Sequence, residues 1–384
     1  MLKLRHSVIN NVFISKSRFH TTSIINKEKL RVLFFGTDDF ASTHLKALIK
    51  EKQRDESCIE SIDLSFPAAA ARPQTNISLF FVGETKGVAE SNHLPVFFTP
   101  PAVNNLERWN IPTDKTYDLG VVVSFGYFIP PHIISAFKYG AVNVHPSLLP
   151  KYRGAAPIQH AILYGDKETG VSVQELDDRE FDAGRILAQE KVSLLDKVPV
   201  YSELKKSLSD IGSRLLVDTV CHLEDRKKNA QVQDISKATK APKIQKKWSE
   251  IDFETMSAWQ AEQLNRAIGE QYPIRTVYHT TSKKPKDIVI QFLNVFLPTQ
   301  TTIFGPPGTF SWHRPSKSIH IMFGDGSVAG CTHFKVENKG IISASDFING
   351  YQVQGQFGVP MATDELVFKQ NMKKRAKMQR YKSE

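Results

Sequence analysis

Cysteine is scarce in this 384-residue chain, and its three cysteines, Cys58, Cys221 and Cys331, lie far apart. Small disulfide-stabilised domains are dense in cysteine, and structural zinc sites need closely spaced pairs of ligands. Neither pattern is present. The sequence therefore predicts three reduced thiols and no metal site.

Long apolar runs are also missing, since no run approaches the roughly 20 residues that a membrane-spanning helix needs. A dinucleotide fingerprint is absent as well. Gly36 follows an apolar run, but no second and third glycine follow it, and Asp38 and Asp39 stand where a pyrophosphate would bind. We predict no membrane insertion, and we interpret Gly36 as a tight turn between a strand and a helix.

The first half of the chain alternates short apolar runs with helical patterns. With 41% hydrophobic residues the chain can bury the cores of two domains. Residues 201–225 carry apolar side chains at helical spacing, which predicts one long amphipathic helix. The alternation predicts an α/β sheet with crossover helices, whose strands include residues 31–35, 77–82, 119–125 and 141–145.

The second half has a different composition. Residues 226–247 are rich in lysine and poor in large apolar side chains, which predicts a basic, solvated linker. Residues 257–268 predict a short helix. Short apolar runs separated by proline and glycine predict a small β-barrel with strands at residues 288–297, 309–312, 319–323 and 327–336.

Three side chains suited to acyl transfer stand at and after the strand at residues 141–145. Asn143 and His145 are two residues apart, so on a strand they leave the same face. An amide and an imidazole can hold an oxyanion, and a carboxylate such as Asp182 can orient the histidine. Taken singly, Asn143 or His145 is more often a turn or capping residue than a catalyst, and Asp182 fits an ordinary turn equally well. The complete pattern favours transfer to a substrate amine, with no enzyme nucleophile.

The sequence Asn143-Val-His-Pro-Ser-Leu-Leu-Pro150, with Arg153-Gly-Ala-Ala-Pro157 and Phe181-Asp-Ala-Gly184, resembles the family of formyltransferases that use 10-formyltetrahydrofolate. Residues 32–40 and 121–130 are similar to the opening strand and the folate-side strand of that family. The resemblance implies a Rossmann-like α/β formyltransferase domain at residues 28–225, followed by a small C-terminal β-barrel domain that helps to hold tRNA at residues 248–368.

The same resemblance implies roles for individual residues. Asn143, His145 and Asp182 match the catalytic positions of the family. Within that family the chain most resembles the members that formylate methionyl-tRNA. The implied reactants are therefore 10-formyltetrahydrofolate and methionine-charged initiator tRNA, bound by a monomer. The implied folate-binding loop consists of Ser147, Leu148, Leu149 and Pro150.

The formal net charge of +10 comes from the two ends of the chain. Residues 1–27 are basic, with no acid before Glu28, which predicts a mitochondrial transit peptide and a location in the matrix; a cytosolic basic arm is the alternative. Residues 369–384 form a basic tail that can follow an RNA backbone, although a solvated end fits equally well. Its candidate tRNA contacts are Lys373, Lys374, Arg375 and Lys377.

One segment departs from the family pattern. Bacterial members carry a strongly basic loop that inserts at the acceptor end of tRNA, whereas residues 57–86 here are apolar and alanine-rich, with Arg72 as the main cation. Discrimination of initiator tRNA then rests on Arg72, on shape or on the C-terminal domain.

Three alternatives would share this fold. They are a formyltransferase for a nucleotide-linked amino sugar, a hydrolase that releases formate, and a non-catalytic RNA-binding accessory protein of translation. The basic tail and the transit-like start favour tRNA over a sugar. The presence of Asn143, His145 and Asp182 argues against the non-catalytic protein.

Overall fold

The computed structural model describes two β-sheets with their flanking helices. It covers residues 28–68, 83–100, 106–112, 114–195, 199–279, 286–351 and 354–358. The predicted strand at residues 77–82, Arg72, the transit segment and the basic tail all lie outside these ranges. No helix within them is long and apolar enough to cross a membrane.

The first sheet has seven strands in the order β3-β2-β1-β4-β5-β6-β7. The pairs from β3 to β5 are parallel, and β6 and β7 are antiparallel to their neighbours. This is a Rossmann-like α/β sheet, as predicted. Its strands are β1 (Leu30–Gly36), β2 (Ile59–Pro67), β3 (Val96–Thr99), β4 (Leu119–Val123), β5 (Ala141–His145), β6 (Glu168–Glu175) and β7 (Ile186–Ser193). Its helices are α1 (Asp39–Lys52), α2 (Glu84–Ser91), α3 (Pro131–Ile134), α4 (Pro157–Leu163), α5 (Tyr201–Cys221) and α6 (Leu223–Lys228).

Gly36 forms the predicted tight turn between β1 and α1. A Cβ atom there would lie 2.6 Å from the Phe34 side chain and 2.9 Å from the carbonyl oxygen of Val123. Asp38 caps α1 by accepting a hydrogen bond from the Ala41 amide. A carboxylate therefore occupies the helix N-terminus where a nucleotide phosphate would otherwise bind.

The predicted helix at residues 201–225 is broken into two. Helix α5 ends at Cys221, and α6 begins at Leu223 after His222 leaves the helical region, with φ −117° and ψ 30°. Helix α5 crosses α1, and Gly212 lies at this contact because a Cβ atom there would be 2.7 Å from the His44 ring. The break turns the chain towards the edge strand β7.

The prediction of three reduced cysteines is wrong. Cys58, just before β2, is joined to Cys221 at the end of α5 by a disulfide bond, with the two Cα atoms 5.3 Å apart. Cys331 is free and buried. The spacing of the cysteines along the chain gave no indication of this bond, because 163 residues separate cysteines that the fold places side by side.

The predicted linker at residues 226–247 is largely exposed, but it also docks against the first domain. The segment begins within α6 and then runs along the first domain, where Gln233 is 5% exposed and Ala241 is fully buried. Lys240 forms a parallel bridge with Arg153, and Gln231 forms an antiparallel bridge with Ile186. Main-chain pairing docks this segment while most of its lysines remain exposed, and composition alone does not reveal such pairing.

The second sheet curls into a barrel-like structure, as predicted. Its order is β14-β10-β11-β12-β9-β8, and a bridge between Tyr278 and Phe357 brings the two edges together. Its strands are β8 (Arg275–His279), β9 (Asp287–Phe296), β10 (Thr309–His313), β11 (Ser318–Met322), β12 (Val328–Val336), β13 (Ile341–Ser343) and β14 (Gln354–Gln356), with helices α7 (Ala258–Ile268) and α8 (Ala344–Gly350).

The C-terminal elements follow the sequence pattern closely. Ser257 caps α7 in a reciprocal capping box with Gln260, which explains why the predicted helix begins there. Strands β13 and β14 and helix α8 were not predicted, because their runs are too short for periodicity to identify, and β8, although as long as β10 and β11, was missed as well. The barrel core is aromatic, and its fully buried rings include Phe292, Phe310, Phe334, Phe347 and Phe357.

Candidate active site

Strand β5 brings two polar side chains to one point at its carboxyl end. The strand is short and apolar, and Pro146 stops it from continuing the ladder. Asn143 and His145 leave the same face, as their spacing predicts, and His145 is only 5% exposed. The two side chains therefore stand at the edge of the sheet where open α/β proteins bind ligands.

Asp182 joins them from the loop between β6 and β7. Its Oδ1 atom lies 3.3 Å from Nδ2 of Asn143 and 3.3 Å from Nδ1 of His145. Its backbone has a φ of 58°, in the left-handed region that non-glycine residues seldom adopt. Such a conformation persists only where the surroundings hold it, and it points the carboxylate at β5.

The Asp182 carboxylate is surrounded by donors. Besides Asn143, Gln174 of β6 donates to Oδ1 at 3.0 Å. The Gly154 amide donates to Oδ2 at 2.9 Å. Because both oxygens accept from fixed donors, the carboxylate is held in one orientation towards the imidazole.

Gly154 cannot be replaced easily at this position. Its φ of 121° suits glycine, and a Cβ atom would lie 2.8 Å from the carbonyl oxygen of Ala241. The linker segment thus passes directly over the loop that supplies an amide to Asp182.

The other nitrogen of His145 also has a protein partner. Its Nε2 atom lies 2.8 Å from the main-chain carbonyl oxygen of Tyr152. Both neighbours of the ring, Asp182 and the Tyr152 carbonyl, are acceptors, so the ring donates to both only when it carries two protons. For Nε2 to donate to a substrate oxygen, that oxygen must take the place of the Tyr152 carbonyl.

The predicted folate-binding loop, residues 147–150, follows His145 and is held by β6. Ser172 donates to the carbonyl of Ser147 at 2.6 Å and accepts from the amide of Leu149 at 3.1 Å. Ser147 and Leu149 are buried, whereas Leu148 and Pro150 are half-buried. Only the latter pair keeps side-chain surface open to a ligand.

Two aromatic rings flank the site. Phe181, next to Asp182, is 58% exposed and meets Phe128 edge to face, with ring centroids 5.3 Å apart. A cavity of about 570 Å³ lies nearby, among helices and connecting segments of the chain. It is lined by Gly126, Ala155, Ala156, Gln159 and Tyr201 of the first domain, by Lys243 and Ile244 of the linker segment, and by Glu270 and Gln271 after α7.

Several residues of the site were not predicted from sequence. Gln174 lies among the buried residues of β6, which also include Thr169 and Ser172, so no sequence signal singled it out. Gln233 holds the Asp182 loop from a segment whose composition indicates a solvated linker. Of the predicted residues, the structure brings Asn143, His145 and Asp182 together and places the 147–150 loop beside them. Arg72 and the tail residues Lys373, Lys374, Arg375 and Lys377 lie outside the described ranges.

Within the described part of the chain, one group of metal-ligand type was found, consisting of Glu51, Cys58 and Cys221. Two of its three members form the disulfide bond, and the group is separate from the Asp182 site.

The groups bonded to Asp182 are amides, a peptide N–H and an imidazole, none of them a serine or cysteine nucleophile. On a Rossmann-like sheet this arrangement is typical of direct group transfer. Residues 28–220 match the family described as formyl transferase, and residues 243–352 match its C-terminal domain. The chain belongs to the formyl transferase family, and it is an enzyme of formyl transfer.

Relatives support the same assignment over most of the chain. The mitochondrial methionyl-tRNA formyltransferase of Rattus norvegicus is 32% identical over 344 residues, which cover 88% of this chain and 83% of the relative. The Homo sapiens protein of the same name is 33% identical over 85% of this chain and 78% of its own length. The methionyl-tRNA formyltransferase of Protochlamydia amoebophila is 30% identical, covering 85% and 96%.

Solved structures share the fold at low identity. An N-formyltransferase from Helicobacter canadensis, in complex with folinic acid and dTDP-3-aminofucose, has a TM-score of 0.53 and 16% identity, covering 79% of this chain and 98% of that one. WlaRD, a sugar 3N-formyl transferase, has a TM-score of 0.53 and 16% identity, covering 81% and 99%. At this identity the likeness shows the fold alone.

Proposed function

We propose that this enzyme transfers the formyl group of 10-formyltetrahydrofolate to the α-amino group of methionine on initiator tRNA, in the mitochondrial matrix. The observation that carries the proposal is the placement of Asp182 within 3.3 Å of both Asn143 Nδ2 and His145 Nδ1. The methionyl-tRNA formyltransferases that resemble this chain over most of its length support the choice of acceptor.

The folate supplies an activated formyl carbon, and the methionyl amine supplies the nucleophile. A carbon–nitrogen bond forms between them, and the bond from the formyl carbon to N10 of the folate breaks. The formyl oxygen gains negative charge in between. Asn143 Nδ2 carries two hydrogens, of which one binds Asp182 and the second remains for this oxyanion.

The attacking amine must lose a proton, and the folate nitrogen must gain one. We assign this transfer to Asp182 and His145, whose facing atoms are 3.3 Å apart. The donors around Asp182 keep its carboxylate oriented, so that it can receive or relay the proton as charge develops on the amine. An intervening water can complete the path to the amine.

Placement of the two substrates follows from what surrounds the triplet. Leu148 and Pro150 keep surface open on the 147–150 loop, and Phe128 and Phe181 offer aromatic surface next to Asp182. A flat pteridine ring fits such apolar walls, and the complexes of sugar formyltransferases with folinic acid or 5-N-formyl-THF support a folate donor. Arg72 and the basic tail remain the proposed tRNA contacts.

The test uses the full chain with labelled 10-formyltetrahydrofolate and methionine-charged initiator tRNA. Labelled formyl on the methionyl amine is measured beside folate consumption and free formate. His145→Ala is assayed in parallel, with His93→Asn as the matched control because His93 is exposed on the same domain. Parallel reactions offer a dTDP-linked amino sugar as the acceptor.

We expect formylated tRNA with the wild type and His93→Asn, and a loss of about 10²-fold or more with His145→Ala. Formylation of the amino sugar in place of tRNA would reassign the acceptor. Formate without either product would indicate a hydrolase. Binding of tRNA with no turnover of folate would favour the non-catalytic accessory protein.

A further inference from the structure

Gln233 is buried in an exposed segment. Its neighbour Val232 is 81% exposed, whereas Gln233 itself is 5% exposed and points into the first domain. A buried amide costs stability unless its donors and acceptor are all used. The partners of Gln233 therefore indicate its purpose.

The amide nitrogen of Gln233 binds the loop that carries Asp182. Nε2 donates to the main-chain carbonyl oxygens of Asp182 at 2.9 Å and Gly184 at 2.8 Å. It also lies 3.2 Å from Oε1 of Gln174, whose own amide donates to the Asp182 carboxylate. The contacts surround the residue whose left-handed backbone requires support.

The amide oxygen of Gln233 binds a second loop. Oε1 accepts from Nε of Arg153 at 3.1 Å and from Nη2 at 2.7 Å. Arg153 stands between Tyr152, whose carbonyl faces His145, and Gly154, whose amide binds Asp182. One side chain thus joins the loops that supply partners to both sides of the imidazole.

The linker main chain reinforces this connection. The Arg153 amide donates to the carbonyl of Thr239 at 2.8 Å, and the Ala241 amide donates to the carbonyl of Arg153 at 2.7 Å. The segment therefore lies along the 152–154 loop as a short parallel bridge. Gln233 is its side-chain anchor on the Asp182 loop.

We propose that Gln233 is a positioning residue for formyl transfer: it fixes the Asp182 carboxylate relative to His145 and Asn143 by tying the Asp182 loop to Arg153. The inference rests on the proposed function. A displacement of about 1 Å in such a site can reduce turnover by about 10²-fold without weakening substrate binding to the same extent. The linker is then part of the active site, and not only a connection between domains.

Two substitutions at Gln233 distinguish the role of its hydrogen-bond donors from the role of its acceptor. Gln233→Met keeps the size of the side chain and removes both. Gln233→Glu keeps oxygen atoms for Arg153 but removes the donors and faces the carbonyls of Asp182 and Gly184 with negative charge. Gln231→Met is the control, since Gln231 is exposed and pairs with Ile186 through main-chain atoms.

For each variant, kcat and KM for both substrates and the pH profile of kcat are measured, together with hydrogen exchange of residues 176–185. We expect kcat to fall by about 10- to 100-fold in both Gln233 variants, with KM changed less than about threefold. The pH profile should shift, and exchange in the Asp182 loop should rise. Gln231→Met should match the wild type in every measurement.

The inference would be overturned by wild-type kcat and pH profile in Gln233→Met, or by recovery of activity in Gln233→Glu, which would leave only the Arg153 contact important. Unchanged exchange of the Asp182 loop in both variants would overturn it as well. A wild-type protein without tRNA formylation would refute the proposed function instead, and hydrogen exchange would still decide whether Gln233 holds the loop.

Discussion

Asn143 of β5 and Gln174 of β6 stand opposite each other on antiparallel strands, and both donate to the same oxygen of Asp182. The hydrogen bond from Asn143 connects the end of β5 to Asp182, 39 positions further along the chain. Two neutral amides therefore hold the carboxylate beside His145, and they do not neutralise its negative charge. Of the two, Asn143 stands on the strand that also carries His145.

Asn143→Ala should lower kcat by about 10²- to 10³-fold, since it removes one hydrogen-bond donor to the developing oxyanion. Single-turnover transfer of labelled formyl to methionyl-tRNA measures the effect. Asn229→Ala, an exposed asparagine at the end of α6, should leave the rate unchanged. Near-normal turnover by a folded Asn143→Ala protein would remove Asn143 from the mechanism.

Reduction of the Cys58–Cys221 bond should lower the free energy of unfolding by about 2–5 kcal/mol, because the cross-link restricts the unfolded chain across a long loop. Urea unfolding with and without a dithiol reductant measures this difference. Cys58→Ser should abolish the response to reductant. Cys331→Ala should retain it, and a wild-type protein insensitive to reductant would contradict the prediction.

Acid should destabilise the first domain through His44. Burial lowers the pKa of His44 to about 4, although its Nδ1 atom lies 2.7 Å from the Phe40 carbonyl. The unfolded chain binds this proton below about pH 6.5 and the folded chain does not until about pH 4, so stability is highest above that window and falls within it. The fall in pH across this window therefore removes roughly 3 kcal/mol of folding stability through His44.

Urea unfolding between pH 7 and pH 4.5 tests this dependence. We expect His44→Gln to be less stable at neutral pH but to lose less stability on acidification than the wild type. His93→Asn, which replaces an exposed histidine, should keep the wild-type slope. Equal slopes for His44→Gln and the wild type would show that another group controls the acid response.

Removal of residues 369–384 should weaken tRNA binding. It should also make the plot of the logarithm of the binding constant against the logarithm of salt concentration less steep, by about 0.7–0.9 for each phosphate that the tail neutralises. Filter binding over a range of salt concentrations measures both quantities. Alanine at Lys50 and Lys52, exposed lysines at the end of α1, serves as the control. If the truncated protein keeps the wild-type affinity and slope, the tail does not bind the phosphates.

The sequence alone determined features that depend on neighbours along the chain. Two-residue spacing placed Asn143 and His145 on one face, Pro146 ended the strand, and Ser257 marked the start of α7. Binary patterning also predicted the class of both sheets, because apolar periodicity is a local property of each strand and helix. The family motifs added Asp182, which a pattern of short-range contacts would not single out.

Only the tertiary structure decided the contacts between distant segments. The Cys58–Cys221 bond, the docking of residues 226–247 and the reach of Gln233 to the Asp182 loop each join parts of the chain that composition treats separately. Gln233 lies 51 residues from Asp182 and 80 from Arg153. Such contacts depend on how elements pack, so a buried glutamine amid exposed residues becomes recognisable only when the sheet beneath it has formed.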